Sequence, residues 1–198
     1  MKTRNDMLPI AVYRGQGALG NSWVFALVLS VLLVSAGMAD AAKVVVEAEH
    51  HYTITPSMAK AASQVASGNA YIHIPLQRPH GTTEGAPSDN GYALFKVKIP
   101  QSGTYNLWGR AHWYDGCGNS FFLKIDDKPQ MVFGNDGSYQ HWHWVRGLRI
   151  YLAEGVHTIR FQNREDGAKL DQFLLTTDTR YVPVRAEKET KQYVIMPE

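Results

Sequence analysis

The chain has 198 residues, of which 44% are hydrophobic and 19% are charged. This composition is ordinary for a globular protein and excludes wholesale disorder, collagen and coiled coil. Residues 1–39 carry three basic residues and one acidic residue, and the 159 residues that follow hold 17 of each sign. A domain without a basic excess is not typical of a nucleic-acid binder, so nucleic acid is not expected as a partner.

The first 39 residues have the organisation of a secretory signal peptide. An uncharged run of 12 residues, WVFALVLSVLLV, follows basic residues and precedes small residues in SAGMADAA. Twelve residues are too few for a transmembrane helix, which takes about 20. We therefore expect residues 1–39 to be a signal peptide, and the mature form to have no membrane span and to be secreted, periplasmic or at the cell surface. An uncleaved N-terminal membrane anchor is the alternative.

From residue 43 onward the sequence is typical of β-structure. Short runs rich in Val, Ile, Phe, Tyr and Trp alternate with clusters of Gly, Pro, Asn and Asp. Several runs alternate apolar and polar residues, as Phe95, Val97 and Ile99 do around two lysines, which indicates strands with one buried face. In chain order, the nine predicted strands are Lys43–Glu49, Ala70–Ile74, Tyr92–Ile99, Thr104–Trp113, Ser120–Asp126, Gln130–Phe133, His141–Leu152, Val156–Gln162 and Leu170–Thr176.

About nine strands predict an all-β fold, an antiparallel β-sandwich or jelly roll. Only the segment Thr55–Ala66 could hold a short helix. The domain is expected to end near residue 178. The charged run RAEKETK beyond it favours a loose C-terminal tail over residues 179–198.

Two carboxylates, Glu47 and Glu49, stand two residues apart near the end of the first predicted strand. On a strand they share one face, and like charges that close are costly unless a cation or an arginine binds them. Asp171 begins the last strand, and Ca²⁺ takes several carboxylate and carbonyl oxygens as ligands. The spacing alone leaves two interpretations open, a calcium site or two solvated glutamates and a turn aspartate.

Aromatic residues flank two of the predicted loops. Tyr114 precedes a turn that ends at Asn119, and Tyr139 precedes Trp142 and Trp144. Exposed aromatic rings often mark a binding site, and a flat ring can stack on the apolar face of a sugar. Tyr114 and Asn119 should therefore face a ligand at one end of the sandwich. The same pattern also allows both tryptophans to be wall or core residues.

The sequence offers no catalytic set. The acidic pairs Glu165-Asp166 and Asp126-Asp127 are adjacent in sequence, as in turns, whereas a glycosidase needs two carboxylates facing each other across a cleft. No Gly-x-Ser-x-Gly nucleophile motif is present. Cys117 is the one cysteine, so no intrachain disulfide can form.

An ordered set of motifs resembles the family 6 and family 35 carbohydrate-binding modules, which have a galactose-binding-domain-like fold. The resemblance covers roughly residues 43–178. The matching pieces are, in order, EAE at 47–49, GNAYI at 68–72, GTYNLWGR at 103–110, NSFF at 119–122, Ile125-Asp126, GSYQHW at 137–142, LAEGVHTIR at 152–160 and Leu170-Asp171.

The resemblance implies a β-sandwich with a structural calcium. Glu47, Glu49 and Asp171 would supply its side-chain ligands, together with carbonyls from nearby loops.

The resemblance also implies a sugar site on the loops at one end. It assigns the two stacking aromatics to Tyr71 and Tyr139, and a structural tryptophan to Trp142. Where the family has an asparagine this chain has Lys169, which could pair with an acidic sugar such as a uronic acid.

Together these features predict a secreted, non-catalytic domain that binds an oligosaccharide or polysaccharide, with a partner enzyme encoded separately as one option. Two alternatives stay open. The same sandwich could be a protein-interaction module at the cell surface, or it could be a small enzyme that acts on polysaccharide.

Overall fold

A computed structural model describes residues 40–77, 82 and 89–198. The signal peptide predicted for residues 1–39 lies outside the described residues. Within the described ranges, no helix combines the length and apolar character needed to cross a bilayer.

The described residues contain twelve strands, arranged in two antiparallel sheets of six. Sheet A consists of β1 (Lys43–Glu47), β3 (Ala59–Ala62), β4 (Ala70–His73), β6 (Gly103–His112), β9 (His143–Leu152) and β11 (Lys169–Thr176). Sheet B consists of β2 (Thr53–Thr55), β5 (Tyr92–Ile99), β7 (Ser120–Ile125), β8 (Met131–Gly134), β10 (Gly155–Gln162) and β12 (Val194–Ile195).

The strand order follows the pairing. Sheet A runs β3-β4-β11-β6-β9, with β1 also paired to β11, and sheet B runs β12-β5-β10-β7-β8, with β2 also paired to β5. Two short 3-10 turns complete the regular structure, Ser67–Asn69 and Lys191–Tyr193.

Alternating apolar residues build the core between the sheets. Phe95, Phe161 and Phe173 are fully buried and contact one another with ring centroids 4.9–6.2 Å apart. Edge-on aromatic contacts of this kind stabilise a core beyond the area they bury. Lys98, which alternates with the buried residues of β5, is exposed, as period-two patterning requires.

All nine predicted strands are present, with bounds within two residues of those expected, and the all-β sandwich is confirmed. The count of nine was too low, because β2, β3 and β12 are also strands. The segment Thr55–Ala66 contains no helix and instead carries β3.

The tail predicted to be loose, residues 179–198, contacts both sheets. The Thr190 hydroxyl accepts a hydrogen bond from the Val45 amide at 2.9 Å and donates one to the Val45 carbonyl at 3.1 Å. The Gln172 side chain forms a matching pair of hydrogen bonds with the backbone of Glu187, at 2.7 and 2.9 Å. β12 then pairs with β5. The charged composition of the tail does not predict this packing. Most of these hydrogen bonds involve backbone atoms, which every residue type has.

The pairing gathers four connections at one end of the sandwich. Lys169, the first residue of β11, lies opposite both His73 at the end of β4 and His112 at the end of β6. Ala111 in turn lies opposite His143, the first residue of β9. The segments that follow β4 and β6, and those that precede β9 and β11, therefore all meet sheet A at the same end of its strands.

Candidate functional site

Sheet A presents an aromatic and basic cluster on its outer face at this end. Ile72, Leu170 and Ala111 are buried in the core, so the residues that alternate with them point outward. We call these outward residues, with the Trp that meets them, the Tyr71 cluster: Tyr71, His73, His112, Trp142 and Lys169.

Ring contacts join the members of the Tyr71 cluster. The Tyr71 ring meets Trp142 and His73 edge-on, with centroids 5.6 and 5.5 Å apart. His112 meets Trp142 in the same way at 5.4 Å. The Lys169 Nζ lies 5.6 Å from the centre of the Tyr71 ring. The result is a half-buried ring surface with one ammonium group beside it.

Burial shifts the titration of the cluster. It lowers the pKa of His73 and of His112 below 6.5, and the charge of Lys169 lowers both further. Burial also lowers the pKa of Lys169 from its usual 10.5. At neutral pH both imidazoles are therefore uncharged, and Lys169 supplies the positive charge.

Three other predicted residues lie together around the loop that follows β6. Gln140, beside Tyr139, donates its backbone N–H to the Trp113 carbonyl at 2.9 Å. The Tyr139 hydroxyl lies 3.5 Å from the point where a Cβ on Gly116 would be. Tyr139 is 38% exposed, and Tyr114 is half-buried. The loop that carries Tyr114 and the loop that carries Tyr139 are therefore in contact.

Asn119, the third residue of this group, is 3% exposed. Its side-chain amide donates to the Gly116 carbonyl at 3.3 Å, and its backbone N–H donates to the Glu165 carboxylate at 3.1 Å. Asn119 therefore braces the loop from within, whereas the sequence pattern indicated a side chain facing a ligand.

The tryptophans divide between the two roles that the sequence left open. Trp113 is fully buried, and its indole N–H donates to Asp136 at 3.1 Å. The indole N–H of Trp144 donates to the Arg185 carbonyl in the C-terminal tail at 3.0 Å. Trp142 belongs to the Tyr71 cluster. His73 and His112 were missed, although the alternation Tyr71-x-His73 already places His73 on the outer face of β4.

Glu47, Glu49 and Asp171 form a second site, which we call the carboxylate cluster. All three are at most 6% exposed, and each keeps one buried oxygen without a hydrogen-bond partner: Glu47 Oε2, Glu49 Oε2 and Asp171 Oδ1. Asp171 lies at a bulge in β11, between Leu170 opposite Ala111 and Gln172 opposite Arg110.

The second oxygens of two of these carboxylates are already bound. Ser67 and Gln172 donate to Glu47 Oε1 at 2.7 and 2.8 Å. The Arg110 guanidinium donates to Asp171 Oδ2. Beside Glu47 lies a cleft of about 510 Å³, bounded by Ser67 and Gly68 and by tail residues 187–189, 191 and 192.

The three acids also interact electrostatically. Burial raises the pKa of Glu49 to about 7, and the charges of Glu47 and Asp171 contribute. Burial raises the pKa of Asp171 to about 6 against the opposing effect of Arg110, and the charge of Glu47 adds to the rise. The three carboxyl groups are therefore close enough that ionisation of one disfavours ionisation of the others.

The carboxylate cluster has donor chemistry that suits a hard cation. Three unpartnered carboxylate oxygens fit the oxygen preference of Ca²⁺. Within the part of the chain that the structure describes, no group of three or more His, Cys, Asp or Glu side chains has the arrangement of a metal site.

No protein-family model matches the chain. Among curated proteins, an uncharacterized protein of Formosa agariphila is 28% identical over 116 residues. The alignment spans 50% of this chain and 28% of that relative, so the chain covers well under half of the relative's length.

Solved structures share the architecture. The Podospora anserina GH26-CBM35 β-(1,4)-mannanase matches 71% of this chain and 29% of its own, at 18% identity and a TM-score of 0.53. The Phanerochaete chrysosporium exo-β-1,3-galactanase with β-1,3-galactotriose matches 68% of this chain and 29% of its own, at 14% identity and a TM-score of 0.54. The chain shares the β-sandwich fold of the part of each structure that it matches, and the name of the first includes a CBM35 module. This confirms, at the level of fold, the resemblance in the sequence motifs.

Proposed function

We propose that this protein is a secreted, non-catalytic domain that binds an oligosaccharide or polysaccharide at the end of the sandwich where the Tyr71 cluster lies. The observation that carries the proposal is the grouping of Tyr71, Trp142 and Lys169. A partly exposed ring can cover the apolar face of a sugar, and the ammonium group beside it can bind sugar oxygens. Tyr114 and Tyr139 extend this surface along the adjoining loops.

An acidic sugar suits the charge of this surface better than a neutral one. Lys169 is half-buried against Tyr71, and the neighbouring imidazoles are uncharged at neutral pH, so a carboxylate would meet one defined positive charge. A uronic acid offers a carboxylate on a ring that can also stack on Tyr71. The proposal therefore includes a preference for uronic acids over neutral sugars.

A structural calcium at the carboxylate cluster is part of the proposal. Glu47, Glu49 and Asp171 would hold the ion, each through the oxygen that lacks a hydrogen bond. When bound, the ion would supply the positive charge that three buried acids need. Since Glu47 lies in β1 and Asp171 in β11, the ion would join two strands of sheet A.

The acidic pairs of the sequence support a non-catalytic role. Glu165 accepts hydrogen bonds from the Asn119 amide and the Ser120 hydroxyl, at 3.1 and 2.6 Å. Asp126 accepts from the Thr158 amide at 2.8 Å and contacts His157 at 2.7 Å. These carboxylates brace turns, so a small polysaccharide-acting enzyme is the weaker alternative. A separate enzyme could act on the bound glycan.

A glycan array probed with residues 40–198, followed by calorimetry on the best ligand, tests the proposal. We expect Tyr71→Ala to weaken binding about ten- to hundredfold, because a ring covered by ligand contributes roughly 1.5–3 kcal/mol. Lys169→Ala should weaken binding of uronic acids more than of neutral sugars. Tyr151→Ala is the matched control, because Tyr151 is 62% exposed and lies opposite Thr104, far along β6 from the Tyr71 cluster.

Each result bears on a different alternative. Equal losses in Tyr71→Ala and Tyr151→Ala would argue against the Tyr71 cluster as the site. An array without any binding, together with a protein captured through the same surface, would favour the protein-interaction module. Release of reducing ends from a polysaccharide panel would favour the enzyme.

A further inference from the structure

Sheet B has a basic outer face. On β5, Phe95 and Val97 are buried, so Lys96 and Lys98 point away from the core. The same alternation turns Arg160 outward on β10 and Lys124 outward on β7. We call the basic residues of this surface the basic face: Lys96, Lys98, Lys124, Arg160 and, just beyond β10, Arg164.

The strand register places like charges side by side. Arg160 lies directly opposite Lys124, while Lys96 lies opposite Thr158 on the same strand as Arg160. Neighbouring strands are about 4.8 Å apart, and like charges directly opposite each other destabilise a sheet. The basic face thus costs folding stability unless an external anion offsets it.

The acids near this face are engaged or lie at its border. Asp126 is bound by Thr158 and His157, and Glu165 pairs with Arg164. Exposed Asp127 lies in the turn after β7. Among the described residues, no carboxylate lies within ion-pair distance of Lys98 or Lys124. Two cations of the face therefore remain available to an outside ligand.

Aromatic rings lie under the other cations. The Arg160 guanidinium lies 3.9 Å from the centre of the Tyr92 ring, and the Lys96 Nζ lies 3.6 Å from that of Tyr52. Cation–π contacts of this kind fix the positive groups on the surface. A cation already lies over one face of each ring, so that face is not free to stack with a nucleic-acid base.

We propose that the basic face is a second binding surface, for a polyanionic polysaccharide that crosses β5, β10 and β7. Arg160 and Lys124 lie one strand apart, about 5 Å, and Lys96 and Lys98 on β5 are offset from Arg160 by two and four residues, so the cations form a diagonal row that suits a polymer with repeated carboxylate or sulfate groups. The surface is distinct from the Tyr71 cluster, so this proposal does not depend on the proposed sugar site.

Binding of the full-length protein to defined polymers tests the proposal. The probes are polygalacturonate for carboxylates, dextran sulfate for sulfates, dextran as the uncharged reference and a duplex DNA of equal charge. We expect binding to one or both acidic polysaccharides, weakened by salt, with neither dextran nor DNA bound comparably. The double variant Lys98→Gln/Lys124→Gln should weaken that binding about tenfold.

The control is Lys188→Gln/Lys191→Gln, which removes the same charge from two exposed lysines of the tail. We expect it to change polyanion affinity less than twofold. Equal losses in the two double variants, or DNA bound as tightly as the polysaccharides, would overturn the proposal. A loss in Lys169→Ala but not in Lys98→Gln/Lys124→Gln would place polyanion binding at the Tyr71 cluster and overturn it as well.

Discussion

Gly68 is the residue that leaves room for the carboxylate cluster. Its φ is +58°, and a Cβ built on it would lie 1.9 Å from Glu49 Oε1. A side chain at this position would both strain the backbone and displace the Glu49 carboxylate.

We expect Gly68→Ala to destabilise the domain by more than the roughly 1–2 kcal/mol that a left-handed residue costs. Gly137→Ala is the matched control, because Gly137 has φ +77° and open space where its Cβ would be. Urea unfolding of both variants separates strain from the clash with Glu49. Equal destabilisation would show that the carboxylate moves aside freely.

The pH dependence of stability should report His112. Burial and Lys169 lower the pKa of His112 below 6.5, so the folded state binds fewer protons than the unfolded chain. The stability that comes from keeping His112 uncharged is complete at pH 7, and it is lost as the pH falls below 6.5 and through the lower pKa of the folded state. We therefore expect His112→Gln to lose less stability than the natural protein between pH 7 and pH 5. The free energy of unfolding of both proteins is measured with urea at each pH. If it falls equally with pH in the two proteins, the assignment to His112 is contradicted.

Part of the candidate site could be predicted from residues alone. The resemblance in the ordered motifs assigns Tyr71 and Lys169 to one site, and the structure brings these two side chains into contact. Asn119 was placed by its position in a loop, where no periodicity indicates burial. His112 became a neighbour of Trp142 through the pairing of β6 with β9, which local sequence does not reveal.

At the scale of elements, length and side-chain type decided what the sequence could predict. The nine predicted strands have four to ten residues and contain large apolar side chains that alternate or follow one another. β2 and β12 have three and two residues, which is too short for a period to show, and β3, with the sequence AKAA, has no large apolar side chain. β12 also depends on β5, about one hundred residues away in sequence.

The tail depends strongly on Thr190. Its hydroxyl satisfies both the N–H and the carbonyl of Val45, so Thr190→Val keeps the shape and removes both hydrogen bonds. We expect a loss of about 1–3 kcal/mol in the free energy of unfolding. Thr179→Val, at an exposed position of the same tail, should cost little. A negligible change in Thr190→Val would mean that the tail adds little to stability.

At the scale of the whole molecule, calcium should stabilise the domain. An ion that binds only the folded state adds about 2.7 kcal/mol at a hundredfold excess over its Kd. We expect EDTA to lower the melting temperature and Glu47→Gln to reduce the difference between the two conditions. Glu154→Gln, an exposed substitution outside the carboxylate cluster, is the charge-matched control. Identical melting curves with calcium and with EDTA would count against the ion.

At the bulge in β11, four consecutive residues contact four different parts of the domain. Lys169 belongs to the Tyr71 cluster, Leu170 packs in the core, Asp171 belongs to the carboxylate cluster and Gln172 binds the tail. A residue inserted or deleted here would reverse the facing of its neighbours and disturb all of these contacts together. Changes in ligand preference within this fold should therefore arise by exchange of side chains in β11 at constant length. Length variation should be confined to the surrounding connections.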